Sequence, residues 1–459
     1  MKQRKIIIRS ILLVLFLGLG YGVYYAWHAF PIISGYGSKN LCSAIYLQHR
    51  NVKDVLREDL GDFPLSMGSF TVDEKDSSVT GSVWGFAKRK TIFRKGVGCT
   101  LINDLSEATI RAQHFDGPPA PPVNTDSIAW PYGNKIPDSI PANINKAQLD
   151  KTVDFVMNET KDGKPCYTSG VVVIYDGQLV AEKYARGFDQ NTVMLGWSMS
   201  KSLTAAMTGV LVKQGKLTVD APAPVPEWAN TDKQKITLKN ILQQTTGLDF
   251  VEDYWKYSEV TNMLFNKGDM GAYTASLPLK YAPGTVFNYS SGNSNILSRI
   301  IRQTVGAADY PSFPYKALFH KINAYSFLLE PDASGTYIGS SYSYATARDF
   351  ARFGLLYLNN GKWNGEQLLP ENWVAQTTIP SVADKRKHYG YQFWLNGLDK
   401  TDLSKKWYPD VPADMFFCDG FGGQGVYIIP SKKLVVVRMG LHVIDENRFL
   451  REVIGAINN

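Results

Sequence analysis

Apolar positions along the chain fall into three patterns, and each predicts a different kind of element. The first is an apolar run from Ile6 to about Trp27, interrupted by Arg9 and a few glycines, after the basic start Met1-Lys2-Gln3-Arg4-Lys5. At a rise of about 1.5 Å per residue it is long enough to cross a hydrocarbon core of roughly 30 Å. Tyr21, Tyr24, Tyr25 and Trp27 fall where an interfacial aromatic belt is expected, and the basic start favours a cytoplasmic N-terminus with the bulk of the chain outside. A cleaved signal peptide shares the basic start and apolar middle. No small-x-small site follows the run, however, and no Cys stands where a lipoprotein signal needs one. The expectation is an uncleaved single-pass anchor over residues 1–30.

The second pattern is the short β-rich run. Residues 170–175 and 179–184 flank Asp176-Gly177, and residues 425–429 and 434–439 flank a turn at 430–433. Both read as hairpins. The third pattern is helical periodicity, over 147–159, 200–214, 237–244, 293–304 and 345–358, with a final helix expected after Asp445. Hairpins at both ends with helices between them predict an α+β protein in which the terminal hairpins share one antiparallel sheet, packed with helices and flanked by a helical subdomain. Upstream, residues 35–112 mix short strand-like runs such as 78–84 with charged turns. Gly117-Pro118-Pro119-Ala120-Pro121-Pro122, followed by Pro131, Pro137 and Pro141, then reads as a linker or surface strap. The expected organisation is an anchor (1–30), a small unit (31–116), a linker (117–146) and a larger unit (147–459).

Composition narrows the classes. A chain of 459 residues, 44% hydrophobic and 12% aromatic, has ample material for a large core, which excludes disorder for most of its length. The net charge of +7 comes from Lys and Arg scattered among acidic residues, so no nucleic-acid partner is expected. Cys42, Cys99, Cys166 and Cys418 form no C-x-x-C pair. In an exported chain Cys42 and Cys99, which bracket the small unit, are the expected disulfide; four buried thiols are the alternative. The six histidines stand apart without ligand spacing, so neither a metal nor a cofactor is expected.

Three segments carry candidate chemistry. In Ser198-Met199-Ser200-Lys201 the hydroxyl and the amine lie three apart, on one face of a predicted helix, and can meet. A neutral Lys201 can then accept the proton of Ser198, provided burial or positive neighbours lower its pKa. A helix N-terminus there would favour developing negative charge. Alone the motif is weak, because a Ser before a helix is ordinarily a cap. Gly196-Trp197-Ser198-Met199-Ser200 also departs from G-x-S-x-G. In Phe287-Asn288-Tyr289-Ser290-Ser291-Gly292-Asn293, Tyr289 on a loop before a helix can relay a proton; the plain alternative is a packing aromatic. In Cys418-Asp419-Gly420-Phe421-Gly422-Gly423-Gln424, glycines entering a strand let a substrate lie along its edge near an oxyanion-stabilising N–H; the alternative is a bulge or turn. Trp255, Tyr391 and Trp394 are candidates to line the cleft, with core packing their ordinary use.

The order S-x-x-K, then Y-S-S, then a Gly-rich late strand resembles the class C β-lactamase and penicillin-binding-protein superfamily, especially its branch of esterases and 6-aminohexanoate-dimer hydrolases. The resemblance runs from about residue 147 to the end and includes L-Q-Q-T-T-G-L at 242–248 and A-T-A-R-D-F-A-R-F-G at 345–354. It implies Ser198 as nucleophile, Lys201 as its base and Tyr289 as the catalytic tyrosine. It also implies an oxyanion hole at the N–H of Ser198 and one on the late strand nearest Phe421, between Gly420 and Gly422. Two departures stand out: Ser291 replaces the Asn of Y-x-N, and Cys418-Asp419-Gly420 takes the place of K-T-G or H-x-G. Without that cation, the resemblance implies a small-molecule amide or ester with a less acidic recognition group. A β-lactamase or cell-wall peptidase, and a catalytically silent anchored scaffold, are the competing functions.

Overall fold

The computed structural model describes residues 2–115, 121 and 124–457, so residues 117–120, 122 and 123 of the Pro-rich connection lie outside the described residues. The chain divides into two compact units, one of residues 1–94, 99–111 and 251–268, the other of residues 95–98, 112–250 and 269–459.

The first unit is built on α1 (Lys2–Tyr46). Its first half is solvent-exposed through Trp27, and burial begins at Ile33. The helix therefore runs past residue 30, because its second half is half of a small core rather than a membrane span. Strands β1 (Gly68–Asp73), β2 (Ser78–Val83), β3 (Phe86–Arg94) and β4 (Gly98–Leu101) form a sheet in that order. Leu41, Cys42 and Ala44 of the helix pack with Val79 and Cys99 of the sheet. Gly37 allows the close fit: a Cβ there would lie 2.0 Å from the Phe70 ring. A short helix, Glu259–Asn266, joins this unit although the sequence places it deep inside the larger one, with the Phe265 ring against Tyr36. Cys42 and Cys99 are bonded, which ties α1 to β4.

The second unit adds α2 (Lys146–Met157), β5 (Thr168–Tyr175), β6 (Gln178–Tyr184), α3 (Met199–Lys213), α4 (Ser291–Val305) and α5 (Ala347–Leu358). It closes with β7 (Trp394–Leu395), β8 (Phe416–Gly420), β9 (Gln424–Ile429), β10 (Leu434–Gly440) and α6 (Glu446–Gly455). The sheet order is β7-β8-β9-β10-β5-β6, and its pairings are antiparallel. As expected, the terminal hairpins meet, with Val436 opposite Val173. The α+β architecture read from the sequence is the one observed.

Strand alternation divides the core in two. Val172, Ile174, Val437 and Met439 face α3, α4 and α5; Val171, Val173, Leu434 and Val436 face α2 and α6. Burial on both faces explains why these strands read as continuous apolar runs. The A-T-A-R-D-F-A-R-F-G segment serves this packing. Arg348 pairs with Glu182 of β6, Asp349 accepts from Ser326, and Arg352 binds Asp349 and the carbonyls of Pro131 and Gly133. At Gly354 a Cβ would lie 2.5 Å from Val435, so α5 sits directly on β10.

Peptide mapping without reduction should recover Cys42 and Cys99 in one linked species. Their separation of 57 residues closes a long loop, so the Cys42→Ser/Cys99→Ser double variant should lose about 4 kcal/mol of stability by the loop-entropy account. Denaturant titration followed at the first unit measures it.

Candidate active site

The S-x-x-K segment is held by a sharp turn. Trp197 adopts φ of 46°, in the left-handed region that a bulky residue rarely occupies, and so turns the chain from a short strand, Met194–Leu195, into α3. Ser198 caps α3 by position, but its side chain makes no capping hydrogen bond. The hydroxyl instead meets the amine, with Lys201 Nζ donating to Ser198 Oγ at 2.9 Å. This geometry distinguishes a paired hydroxyl from an ordinary cap. Lys201 is buried, and its amine also donates to the Ser340 carbonyl at 3.0 Å.

Buried hydroxyls lock the helix that carries this pair. Ser200 Oγ lies 2.7 Å from Ser343 Oγ, Thr204 donates to the Gly339 carbonyl, Ser202 donates to the Gln392 carbonyl, and Asn295 donates to Ser340 Oγ. Sequence reading missed this anchoring; the signal was present as an unusual run of Ser and Thr on an otherwise apolar helix.

Tyr289 joins the same site. Lys201 Nζ lies 4.9 Å from the centre of its ring, and Trp394 and Tyr389 pack around it at 5.1 and 5.7 Å between centroids. Its loop depends on the L-Q-Q-T-T-G-L segment. Gln244, itself at φ of 60°, accepts from Asn288 N with its carbonyl, and from Ser290 N and Asn293 Nδ2 with its side-chain oxygen. Thr246 bonds Asn293, and Gln392 fastens Gln244 and Ser294 together. These glutamines escaped sequence reading because an amide that braces a loop has no motif of its own.

The late strand ends beside the Gly196–Ser198 turn. A Cβ at Gly420 would lie 2.6 Å from the Gly196 carbonyl oxygen, so the glycine permits backbone to approach backbone rather than substrate alone. Phe421 is exposed, with its ring 5.8 Å from that of Trp197, and Gly422 has φ of 86° in the following turn. Arg438, fully buried on β10, donates to the carbonyls of Gly422 and Gly423 and so fixes the turn from below. Cys418 faces α3, whereas Phe417 lies in the opposite core. By alternation Asp419 shares the face of Phe417, with Glu446, Tyr408 and Tyr427 nearby.

The three candidate cleft aromatics separate. Trp394 packs on Tyr289, Tyr391 is buried against Trp373, and Trp255 belongs to the first unit. Among the described residues no group of His, Cys, Asp or Glu is placed to hold a metal ion.

The Beta-lactamase family matches residues 165–440. A 6-aminohexanoate-dimer hydrolase of Paenarthrobacter ureafaciens is 24% identical over 301 residues, covering 59% of this chain and 72% of that protein. Among solved structures, a Bacillus anthracis protein provisionally named a 6-aminohexanoate-dimer hydrolase aligns with a TM-score of 0.53 at 21% identity, over 72% of this chain and 87% of its own. A family VIII carboxylesterase aligns with a TM-score of 0.52 at 15% identity, over 71% of this chain and 99% of its own. At these identities the structural likenesses establish the fold.

The half-buried Asp419 of β8 has a pH signature. Burial, reinforced by Glu446 and opposed by Lys201, pushes the Asp419 carboxyl up to about 8 from its ordinary 3.8. The folded state then holds a proton that the unfolded state has released, so stability falls as pH rises from about 4 to about 8, by at most ~1.4 kcal/mol per pH unit from this group. Asp419→Asn should flatten that decline, as read from thermal midpoints between pH 5 and 8.

Proposed function

Because the chain belongs to the Beta-lactamase family, we propose that it is a serine hydrolase that cleaves an amide or ester bond through a covalent acyl-enzyme. The observation that carries the reading is the 2.9 Å contact between the buried Lys201 amine and a Ser198 hydroxyl that does no capping. In this scheme neutral Lys201 takes the hydroxyl proton as Ser198 Oγ attacks the carbonyl carbon. The oxyanion rests on the N–H of Ser198, at the start of α3, and on the N–H nearest Phe421, which Gly420 brings beside the nucleophile turn and Arg438 holds. The C–N or C–O bond then breaks, and the proton passes through Tyr289 to the leaving group. Water attacks the acyl-enzyme by the reverse sequence and frees Ser198.

The substrate is a small molecule whose recognition group is less acidic than a β-lactam. Cys418, the residue at the first triplet position, is a buried neutral thiol whose pKa burial raises to about 12. It supplies no cation to a carboxylate. The ester implied by the carboxylesterase structure fits this class, and the Paenarthrobacter relative, named for the 6-aminohexanoate dimer, supports hydrolase action on a small molecule. The competing scaffold reading leaves the Ser198–Lys201–Tyr289 cluster without a purpose. We further propose a single-pass membrane protein with the hydrolase outside the cytoplasm, on the strength of the exposed apolar half of α1 and its basic start. One helix of this length and composition is also what a signal sequence provides.

Ser198→Ala should abolish both turnover and labelling by a fluorophosphonate, with an unchanged circular dichroism spectrum. Labelling at the wild-type rate would exclude Ser198 as nucleophile. An aryl ester should also exceed a chromogenic cephalosporin in kcat/KM by about ten- to a hundredfold, because one charge-assisted hydrogen bond is worth roughly 1.5–3 kcal/mol. A preference for the cephalosporin would restore the β-lactamase reading.

A further inference from the structure

The first unit carries large aromatic side chains that its own core does not use. Trp84 and Phe86 flank the tip of the β2–β3 hairpin at 67% and 69% exposure, and Trp255, with Tyr254 and Tyr257, projects from the loop before the Glu259–Asn266 helix at 81%. They are not scattered. The Trp84 ring lies 5.3 Å from that of Phe30, and the Tyr257 ring 4.6 Å from that of His28. Both contacts fall on α1 within one turn of Trp27, where the exposed apolar stretch ends.

This position has a definite depth in a bilayer. Residues 6–27 span about 33 Å at 1.5 Å per residue, enough to fill a hydrocarbon core of roughly 30 Å. Each headgroup layer adds about 5–7 Å, so His28 and Phe30, roughly 2–5 Å beyond Trp27, lie inside that layer. The helix is continuous from Lys2 to Tyr46, so no spacer lifts the unit away from the membrane. Pro31 lies in the same turn and lacks the N–H that would bond the Trp27 carbonyl, which can be satisfied by water or headgroups at that depth. Glu252 and Asp253 in the aromatic loop, bonded to Tyr254 and Lys256, keep it at the polar interface rather than among acyl chains.

We propose that the aromatic collar of Trp84, Phe86, Tyr254, Trp255 and Tyr257 docks onto the bilayer surface around the exit of α1, so that the first unit is seated on the membrane rather than tethered above it. Trp and Tyr prefer this layer because their rings are apolar with one polar edge. The proposal rests on α1 spanning the bilayer and is independent of the hydrolase chemistry.

The test uses the full chain in phosphatidylcholine nanodiscs, with an environment-sensitive fluorophore placed in turn through Trp84→Cys, Trp255→Cys, Leu15→Cys and Lys75→Cys. Lys75 lies in the turn at the far end of β2, roughly 17 Å from Trp84 along the strand, and serves as the aqueous control. Labels at 84 and 255 should be quenched by nitroxide lipids at least about twofold more than at 75, with blue-shifted emission. Phe86→Cys repeats the measurement at the same tip if Trp84→Cys does not fold. Labels at 84 and 255 that match 75 and yield to aqueous iodide, while 15 is quenched by lipid, would overturn the docking and leave the anchor standing. Absence of lipid quenching at 15 would overturn the anchor and the docking with it.

Discussion

The second unit is arranged around one demand, that an amine buried in a protein interior must find acceptors. Lys201 meets the Ser198 hydroxyl and the Ser340 carbonyl, and leaving either unmet inside the core would cost more than an ordinary hydrogen bond contributes. Meeting the demand fixes α3 against the 339–343 segment through Ser200 and Thr204, and fixes that segment to α4 through Asn295. It also positions Ser198, the proposed nucleophile, whose hydroxyl is held by the same amine. Stability and the proposed chemistry share one set of bonds, so the polar residues on α3 belong to the candidate site as much as Ser198 does.

A second constraint comes from the sheet. Its two buried faces require long apolar strands, yet its β8 end must come against the turn that holds Ser198. Small residues reconcile the two: Gly420 lets backbone meet backbone at the Gly196 carbonyl, Gly196 leaves room for the Phe350 ring and the Ser343 hydroxyl, and Gly422 reverses the chain. Arg438 is the counterpart of these glycines. It is a cation placed among valines, and its guanidinium is spent on carbonyls of the turn and on Thr168 and Cys166 of β5 and its approach. Burial and the fixed fork of donors suit Arg to this bracing in a way that Lys could not reproduce.

Much of this was legible in the sequence. Periodicity located the terminal hairpins because strands buried on both faces carry unmistakable apolar runs. Spacing brought Ser198 to Lys201 because a helix has fixed pitch, and order along the chain brought Tyr289 and Gly420 into the same reading. What escaped depended on partners far apart in sequence. Gln244 and Gln392 brace the tyrosine loop, Ser340 receives the amine, and Arg438 holds a turn sixteen residues earlier. None has a local pattern that differs from an ordinary polar residue. Asp419 shows the opposite case: strand alternation was enough to determine its side once Cys418 was known to face α3. The membership of residues 251–268 in the first unit lay beyond any local signal, since nothing in their composition marks a change of allegiance.

That membership has a bearing on how the chain comes to be folded. The helix, the four strands and the disulfide partners of the first unit are all synthesised by residue 111, but Val260, Leu264 and Phe265, which are buried, come from the stretch ending at Gly268. Folding on the ribosome proceeds from the N-terminus as chain emerges. The first unit must therefore wait, with part of its apolar surface uncovered, while the opening half of the second unit is translated. The two units are in this sense interleaved in time, and a chaperone or the membrane surface itself would have to shield the gap.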